Sequence, residues 1–461
     1  MKQSLPKSKQ FAFAIGQLGW STLMGIIGAY LVYVYTPPQE AGIPLRIPII
    51  AIFGFLSVIG LVTMLGRFID AITDPWIATL SDRSKHPKGR RISFMSKGAI
   101  PLALFTVLVF WSPVDDISEW NVAWLTVTLL AFYIFYTMYV TPYFALISEL
   151  GHTPEERLNL STYISLTFIV GTAIASAAPV IWGALEGFGI EKLLAIRLSV
   201  TILAVFALIC MYVPIWAINE REYSDSKPSD MSMWNSIRGA FSNRDFVIFA
   251  CSDLVYFLAL TTFTTGMIYY ITVLLQQPES LNSVIVAALA VSSLIFYPLV
   301  NWGAKKWGKK PLLLVAFSIF FIIYFLPLVM GDKLPIEPTL QAYIMVALFA
   351  LPMAIFGILP NAVVADIAEY DKKVTGVPKE AMFFGARTFM QKLGQMLAML
   401  VFGSALLLGN EVGNDLGIRI TGPIAAFFCL IGLILMSLYN EKKIIGKDTA
   451  SVDSSKQTVA K

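Results

Sequence analysis

Twelve apolar runs of membrane-spanning length partition this chain, at roughly 11–36, 48–80, 93–112, 120–148, 158–185, 193–217, 246–275, 281–303, 311–330, 340–368, 380–408 and 419–439. About 20 apolar residues suffice to cross a bilayer as a helix. A backbone in hydrocarbon must satisfy its own hydrogen bonds, which helices do. The 57% hydrophobic content and mean hydropathy of +0.70 leave too little polar surface to clothe soluble domains of this size. The runs predict an all-α membrane protein with twelve transmembrane helices, numbered here as spans one to twelve.

The loops support that count and give an orientation. With the N-terminus in the cytoplasm, the loops on that side hold 26 of the 34 Lys and Arg residues. Arg46, Lys192, Arg197, Lys333 and Arg419 fall on the other side, and Arg67, Arg387 and Lys392 lie within spans. By the positive-inside rule both termini are expected in the cytoplasm, for a multi-pass protein of the plasma (inner) membrane. Met1 to Gln10 is polar and basic and precedes a run long enough to span, so no cleavable signal is read there. Cys210, Cys251 and Cys429 sit in apolar runs without metal-like or disulfide-like spacing and read as packing residues.

The chain also repeats itself. Ser81–Arg91 follows span two and Val300–Lys310 follows span eight; they align without gaps at an offset of 219, pairing Gly89-Arg90-Arg91 with Gly308-Lys309-Lys310. Pro142 and Pro360 mark spans four and ten at an offset of 218, and Pro154 and Pro378 precede spans five and eleven at 224. Three matches in order argue for two pseudo-symmetric six-helix halves in one orientation, at 1–218 and 246–440. A cytoplasmic linker at 219–245 joins them, and a disordered tail follows at 441–461. Parallel halves of this kind are the major facilitator fold, with its substrate site near the midplane between them.

Span two breaks the apolar rule. Arg67, Asp70 and Asp74 interrupt it, each at a cost of about 2.5–3.5 kcal/mol at the centre of a spanning helix. Asp74 lies roughly 40° around and about 6 Å along from Asp70, and Arg67 is one turn back, so the three share a face. Charges kept at such cost usually face a bundle interior or wet cavity on an ion or substrate pathway. A structural Arg–Asp pair near the helix end is the plainer alternative. Pro75 is expected to disturb the helix and free carbonyls that could line a cavity. The stretch reads as a cation site.

Span four offers hydroxyls at Tyr136, Thr137, Tyr139 and Thr141, with Thr137 and Thr141 on one face. Membrane hydroxyls more often bond their own backbone or a neighbouring helix. Glu149 at the end of that span suits pairing with loop basics. Lys392 lies too deep in span eleven for snorkelling and is expected to partner the span-two carboxylates. Asp253 in span seven is a lone acid, read as a cavity position. Asp82, Arg83, Gly89, Arg90 and Arg91 read as a gating latch whose basics meet the neighbouring half when the cytoplasmic side closes, beside their topogenic role.

Arg67-Phe68-Ile69-Asp70-Ala71-Ile72-Thr73-Asp74-Pro75, the Asp82-Arg83…Gly89-Arg90-Arg91 loop, Tyr136-Thr137…Pro142-Tyr143 and Lys392 together resemble the glycoside–pentoside–hexuronide:cation symporter family, typified by the melibiose permease. The likeness runs through most of the membrane residues, and Asp-x-x-x-Asp-Pro is its most specific element. It implies that Asp70, Asp74, Thr73 and Thr137 bind the coupling cation, that Lys392 is the charged position of span eleven, and that Tyr136 lines the sugar cavity. The departures are equally informative. Val140 stands where the type member has a third site carboxylate, Ser21 where it has a sugar-gripping acid, and Ser165 where it has an arginine. Galactoside specificity therefore does not carry over. Lysophospholipid symporters of the same branch keep the carboxylates and the lysine.

These observations predict a secondary active symporter. It would couple a proton or sodium ion to uptake of a small polar solute, a sugar or glycoside, by alternating access. The alternative is cation-coupled transport of an amphipathic substrate such as a lysophospholipid. A substrate cavity is assigned to Ser21, Tyr136, Val140, Ser165, Asp253 and Lys392. No nucleotide-binding loop, metal cluster or catalytic triad is found, so no enzyme activity, cofactor, bound metal or nucleic-acid partner is expected. The partners are the solute, the cation and the lipid bilayer, and the protein is expected as a monomer. A non-transporting scaffold or receptor is the reading of a different class; cation-dependent uptake into vesicles separates the two.

Overall fold

A computed structural model describes residues 5–84, 86, 89–151, 153–223, 239–376 and 379–444. Its helices are α1 (Lys7–Tyr35), α2 (Val58–Arg83), α3 (Arg90–Phe110), α4 (Glu119–Leu150), α5 (Pro154–Ser176), α6 (Ala178–Gly187), α7 (Lys192–Ala217), α8 (Glu220–Tyr223), α9 (Arg244–Tyr269), α10 (Glu279–Ile295), α11 (Tyr297–Trp307), α12 (Lys309–Ile323), α13 (Leu326–Val329), α14 (Pro338–Thr375), α15 (Glu380–Ala405), α16 (Leu416–Leu438) and α17 (Glu441–Ile444).

They form twelve rods in the order expected. Three rods are made of two pieces, α5–α6, α10–α11 and α12–α13, each interrupted just ahead of a proline: Pro179, Pro298 and Pro327. Each proline lacks the N–H that would bond back one turn, and its ring crowds the carbonyl there, which accounts for the breaks. The α10–α11 bend is 43°. Ten rods are apolar enough to cross a membrane, eleven with that bent pair. The remaining rod is α2, in which every 18-residue stretch contains Arg67, Asp70 and Asp74.

Helix packing repeats when six is added to each span number. α1 packs on α5 and α7, and α9 on α15 and α16; α3 packs on α4 and α7, and α12 on α14 and α16. Between the halves, α2 lies along α15, and α10 along α5 and α6, a second symmetric pair. This is the two-fold arrangement expected of parallel repeats. The repeated loops carry it to the level of single bonds. Gly89 and Gly308, at φ +111° and +93°, each open a helix beside a carboxylate from just beyond the last rod of its half. Glu220 accepts the N–H groups of Arg90, Arg91 and Ile92 at 2.9–3.0 Å, and Glu441 those of Lys309 and Lys310 at 2.6 and 3.1 Å. A β-carbon on either glycine would run into that carboxylate. An acid on the free N–H groups of a helix start is favourable both as hydrogen-bond acceptor and against the helix dipole.

Three expectations need correction. The run 48–80 is not all helix: Ala51–Ile52 (β1) pairs antiparallel with Leu56–Ser57 (β2), turning at Phe53-Gly54, and α2 starts only at Val58, where the Ser57 hydroxyl caps Gly60 N–H at 3.0 Å. Pro75 does not interrupt α2, which runs on to Arg83. Proline removes one intrahelical bond, and packing of α2 against α4 and α15 holds the helix through the gap. The tail assigned from residue 441 begins as helical α17, held by its Glu441. Residues 445–461, the linker residues 224–238, Lys85, Pro87 and Lys88 of the latch, and Pro378 lie outside the described residues.

Candidate functional site

α2, α4 and α15 meet between the halves. Lys392 Nζ on α15 is 2.8 Å from Asp70 Oδ1 and 2.6 Å from Asp74 Oδ2, with the Asp70 carbonyl 3.4 Å away. Thr137 donates to Asp70 Oδ1 at 3.1 Å, and Thr141, one turn along α4, donates to Asp74 Oδ1 at 2.9 Å. Thr73 lies 3.1 Å from the Thr137 hydroxyl and 2.8 Å from its own Ile69 carbonyl, so it is bound mainly to its helix. The structure thus brings together Asp70, Thr73, Asp74, Thr137 and Lys392, and adds Thr141. The sequence offered a signal for Thr141 in its i, i+4 spacing from Thr137. Asp70 is fully buried, and its Oδ2 has no hydrogen-bond partner.

Arg67 does not pair with Asp70, so the plain Arg–Asp reading is set aside. Its guanidinium lies over the Tyr133 ring at 5.4 Å. Tyr133 can come that close because Gly66 leaves the face of α2 bare beside it. With Arg67 and Lys392 against Asp70 and Asp74, the formal charge of the cluster sums to zero.

Beside it a cavity of about 410 Å³ opens between the halves, lined by α1, α2, α5, α9, α10, α14 and α15. That volume falls in the usual range of about 300–1,000 Å³ for small-molecule sites. Ser21 and Arg67 line it from one half; Thr261, Ser293 and Gln395 from the other. The remaining residues assigned to the cavity stand apart from its lining. Tyr136 is packed edge-on against Trp20 at 5.7 Å, and Val140 is buried. Ser165 turns back to its own Ser161 carbonyl at 2.9 Å. Asp253 is not a lone acid: Arg387, from α15, pairs with it at 2.8 Å and reaches Asn361 as well. The sequence could not reveal that partner, because 134 residues separate the two.

The two ends of the bundle differ. At the end remote from Leu5 and Ile444, Glu279 of α10 accepts from Tyr33 and from Trp182 at 2.7 Å each and pairs with Lys192 at 2.9 Å. Asn410 and Tyr269 both bond the Thr36 carbonyl, and Ser57 N–H meets Ser404. Gly403 crosses Gly60 so closely that a β-carbon on it would lie 2.8 Å from the Gly60 Cα. All these contacts join one half to the other. At the opposite end Arg90 pairs with Glu149 at 2.9 Å, and Arg91 pairs with Asp82 and Glu149, while Arg83 is exposed. Among the described residues Arg90 and Arg91 pair with acids of their own half, because Glu149 and Glu220 are presented directly to the start of α3.

The model of the MFS/sugar transport protein family matches residues 12–443. The chain belongs to this family. It is a multi-pass membrane transporter and not an enzyme, in agreement with the family resemblance carried by the Arg67–Pro75 stretch. Within the family the isoprimeverose transporter of Lactiplantibacillus pentosus is 22% identical over 90% of this chain and 82% of its own length. The inner membrane symporter YicJ of Escherichia coli is 23% identical over 87% and 82%. Among solved structures the nucleoside transporter NupG superposes with a TM-score of 0.66 at 13% identity, covering 94% of this chain and 100% of that one, and so shares the fold.

Proposed function

We propose that this chain is a cation-coupled symporter of a small polar solute, a sugar or glycoside. Asp70 and Asp74 would hold the coupling ion, and the 410 Å³ cavity beside them the solute. The observation that carries the reading is the ammonium of Lys392 seated between the two carboxylates at 2.8 and 2.6 Å. Lys392 is in effect a tethered cation, filling the position that a free one would take. A proton or sodium ion arriving at Asp70 and Asp74 competes with it, and the displaced ammonium shifts the fit between α2 and α15, which belong to opposite halves. Solute and ion then favour the same arrangement, a reciprocal coupling. The arriving cation takes the place of the ammonium, so the carboxylates are not left bare in an occluded core. Isoprimeverose transport by one relative and symport by another support sugar and coupling respectively.

Protons are proposed to drive it. Each carboxylate meets one hydroxyl, Asp70 Oδ2 lacks a partner, and Val140 offers no oxygen, an arrangement that suits a proton better than a sodium ion seeking five or six ligands. The protein would work as a monomer in the inner membrane with both termini in the cytoplasm, as its basic loops suggest. Uptake into proteoliposomes under an imposed pH gradient, then under a sodium gradient with the pH gradient collapsed, tests the assignment. Asp70→Asn and Asp74→Asn are each expected to abolish concentrative uptake in a folded, inserted protein. Normal accumulation by both would remove the cation site, and strict sodium dependence would replace the proton.

A further inference from the structure

We propose that the β1–β2 hairpin is a membrane anchor: its apolar tip, residues 49–55, inserts into the boundary between headgroups and acyl chains of the leaflet at the far end and holds the outer end of α2 there. The partner is a lipid surface, whichever solute is carried. Residues 47–56 contain no polar side chain, and no charge falls between Arg46 and Arg67. The other connections at the far end each carry an acid in the loop or in the first helical turn after it, Asp116, Glu191, Glu279, Asp332 and Glu411 among them. The connection from α1 to α2 is inside out for a loop in water. Its first part is covered by protein, with Ala41, Ile43 and Ile47 buried and Arg46 paired to Asp115 at 2.9 Å. Its apolar second part is the one left uncovered: Phe53 is 84% exposed, Phe55 65%, Ile49 58% and Ile50 47%. A solvated two-stranded ribbon turns polar residues to water on at least one face, and this one has none to turn. Phe53 holds φ +54° before Gly54 at +80°. Asn-Gly is the usual choice for such a pair of positions, and a bulky side chain there is rare.

The depth of the hairpin follows from α2. Its 26 residues make a rod of about 39 Å, close to the roughly 40–45 Å of a bilayer with its headgroups. With Arg83 among the headgroups at the near end, Val58 stands among those at the far end. The hairpin, joined to Val58 through Ser57, lies at that same level. Gly60 crosses Gly403 here, and Ile49 and Ile50 line one cleft with Leu406 and Leu407 at the end of span eleven. Further along α2, Leu65, Phe68, Ile72, Trp76 and Leu80 are exposed. Their spacing of three and four puts them on the side of the helix opposite Asp70 and Asp74. In a membrane protein that stripe meets acyl chains, so the hairpin continues a lipid face already present along the same element. Water among the headgroups satisfies the free backbone groups of the turn. The Phe and Ile side chains then reach about 5–10 Å into the boundary, as the apolar faces of interfacial segments do. The Ser57 hydroxyl caps α2, so whatever fixes the hairpin also fixes the outer end of the helix that carries the carboxylates.

The test uses the full-length chain in liposomes, with Cys210→Ala, Cys251→Ala and Cys429→Ala and one new cysteine carrying a bimane fluorophore. The label is placed through Phe53→Cys, Phe55→Cys or Ile50→Cys, and through Asp116→Cys, in an exposed position of another far-end loop, as the aqueous reference. The quenchers are brominated phosphatidylcholine in the bilayer and iodide in the solution on both sides. Bromolipid is expected to quench the labels at positions 53 and 55 at least about twice as strongly as the label at 116, and iodide at most about half as strongly. Adding Phe53→Asn and Phe55→Ser, with Asn suited to the positive φ, should bring the label at position 50 out to iodide, to about the level seen at 116. Iodide quenching at 53 and 55 equal to that at 116 would place the hairpin in water and overturn the proposal. Protection from both quenchers would overturn it too, in favour of a protein cover, which is a second copy if the same cysteines cross-link between chains. Lipid quenching at position 50 that survives both polar substitutions would show that the rest of the fold imposes the depth and that the aromatic tip anchors nothing.

Discussion

Asp70 and Asp74 are one turn apart on α2, and Thr137 and Thr141 one turn apart on α4, so each carboxylate meets its hydroxyl at the same sequence offset of 67. Two parallel helices of equal pitch make this ladder possible, and a shift of either by a residue would break both rungs. Thr141→Val keeps the shape and removes one rung. A hydrogen bond to a charged group is worth about 1.5–3 kcal/mol, so the coupling ion is expected to bind roughly tenfold to a hundredfold more weakly. The apparent affinity for the driving ion in uptake assays checks this, and an unchanged value would remove Thr141 from the site. The carboxylates and Lys392 were legible in sequence because charge in an apolar run has few bland explanations. Thr141 was legible only as a hydroxyl one turn from Thr137, and the Asp253–Arg387 pair was not legible at all, since a hydroxyl or a lone acid in a membrane helix says nothing about which distant residue faces it.

At the scale of elements, α2 and α15 are the pair on which the far-end closure turns. Gly60 and Gly403 let their backbones touch there, the small-residue crossing familiar from membrane helices. Gly403→Leu would wedge the crossing apart. It is expected to hold the far end open, read as greater labelling of a cysteine placed at Asn410 by a membrane-impermeant thiol reagent applied from that side. Labelling equal to the parent would show that the crossing does not gate. The clamp formed by Glu220 gives a pH prediction. Burial pushes its carboxyl above the usual glutamate range, against the pull of the three N–H groups it accepts. An acid raised in the folded state burdens that state when ionised. The burden is present above its folded pKa and is relieved as pH falls through that value towards the ordinary 4.5. Glu220→Gln never carries it. From pH 7 to pH 5 the Tm of the native protein should therefore rise relative to that of the variant, and a falling difference would contradict the assignment. Apart from the start of α2 and the end of α14, the rods themselves were readable from hydropathy to within a few residues. The β1–β2 turn and the three proline breaks were not, because an apolar run has the same appearance whether it is straight, bent or folded into a hairpin.

For the whole molecule, the hydrogen bonds described between the halves gather at one end and at the Lys392 cluster, an asymmetry no reading of composition supplies. Glu279 alone joins Tyr33, Trp182 and Lys192 there. Glu279→Ala removes three contacts to a charged acceptor, each worth about 1.5–3 kcal/mol, and leaves Lys192 without its partner. The equilibrium between the two access states is expected to shift towards the one open at the far end, measurable as a change in inter-half distances by spin labels on α6 and α10. Unchanged distances would show that the other far-end bonds suffice.

The chain distance between partners also bears on how such a protein is made. Asp70 enters the membrane 322 residues before Lys392 is synthesised. At about 5–20 residues per second, translation needs on the order of 16–64 s to cover that gap. For that interval α2 has neither its own lysine nor the opposite half to lie against. The helix least able to insert by hydropathy is therefore expected to wait at the insertion machinery, beside α1 and α4. Ribosome-bound intermediates ended after Ala217 should show α2 still accessible to water-soluble reagents, and protected only once α15 has emerged.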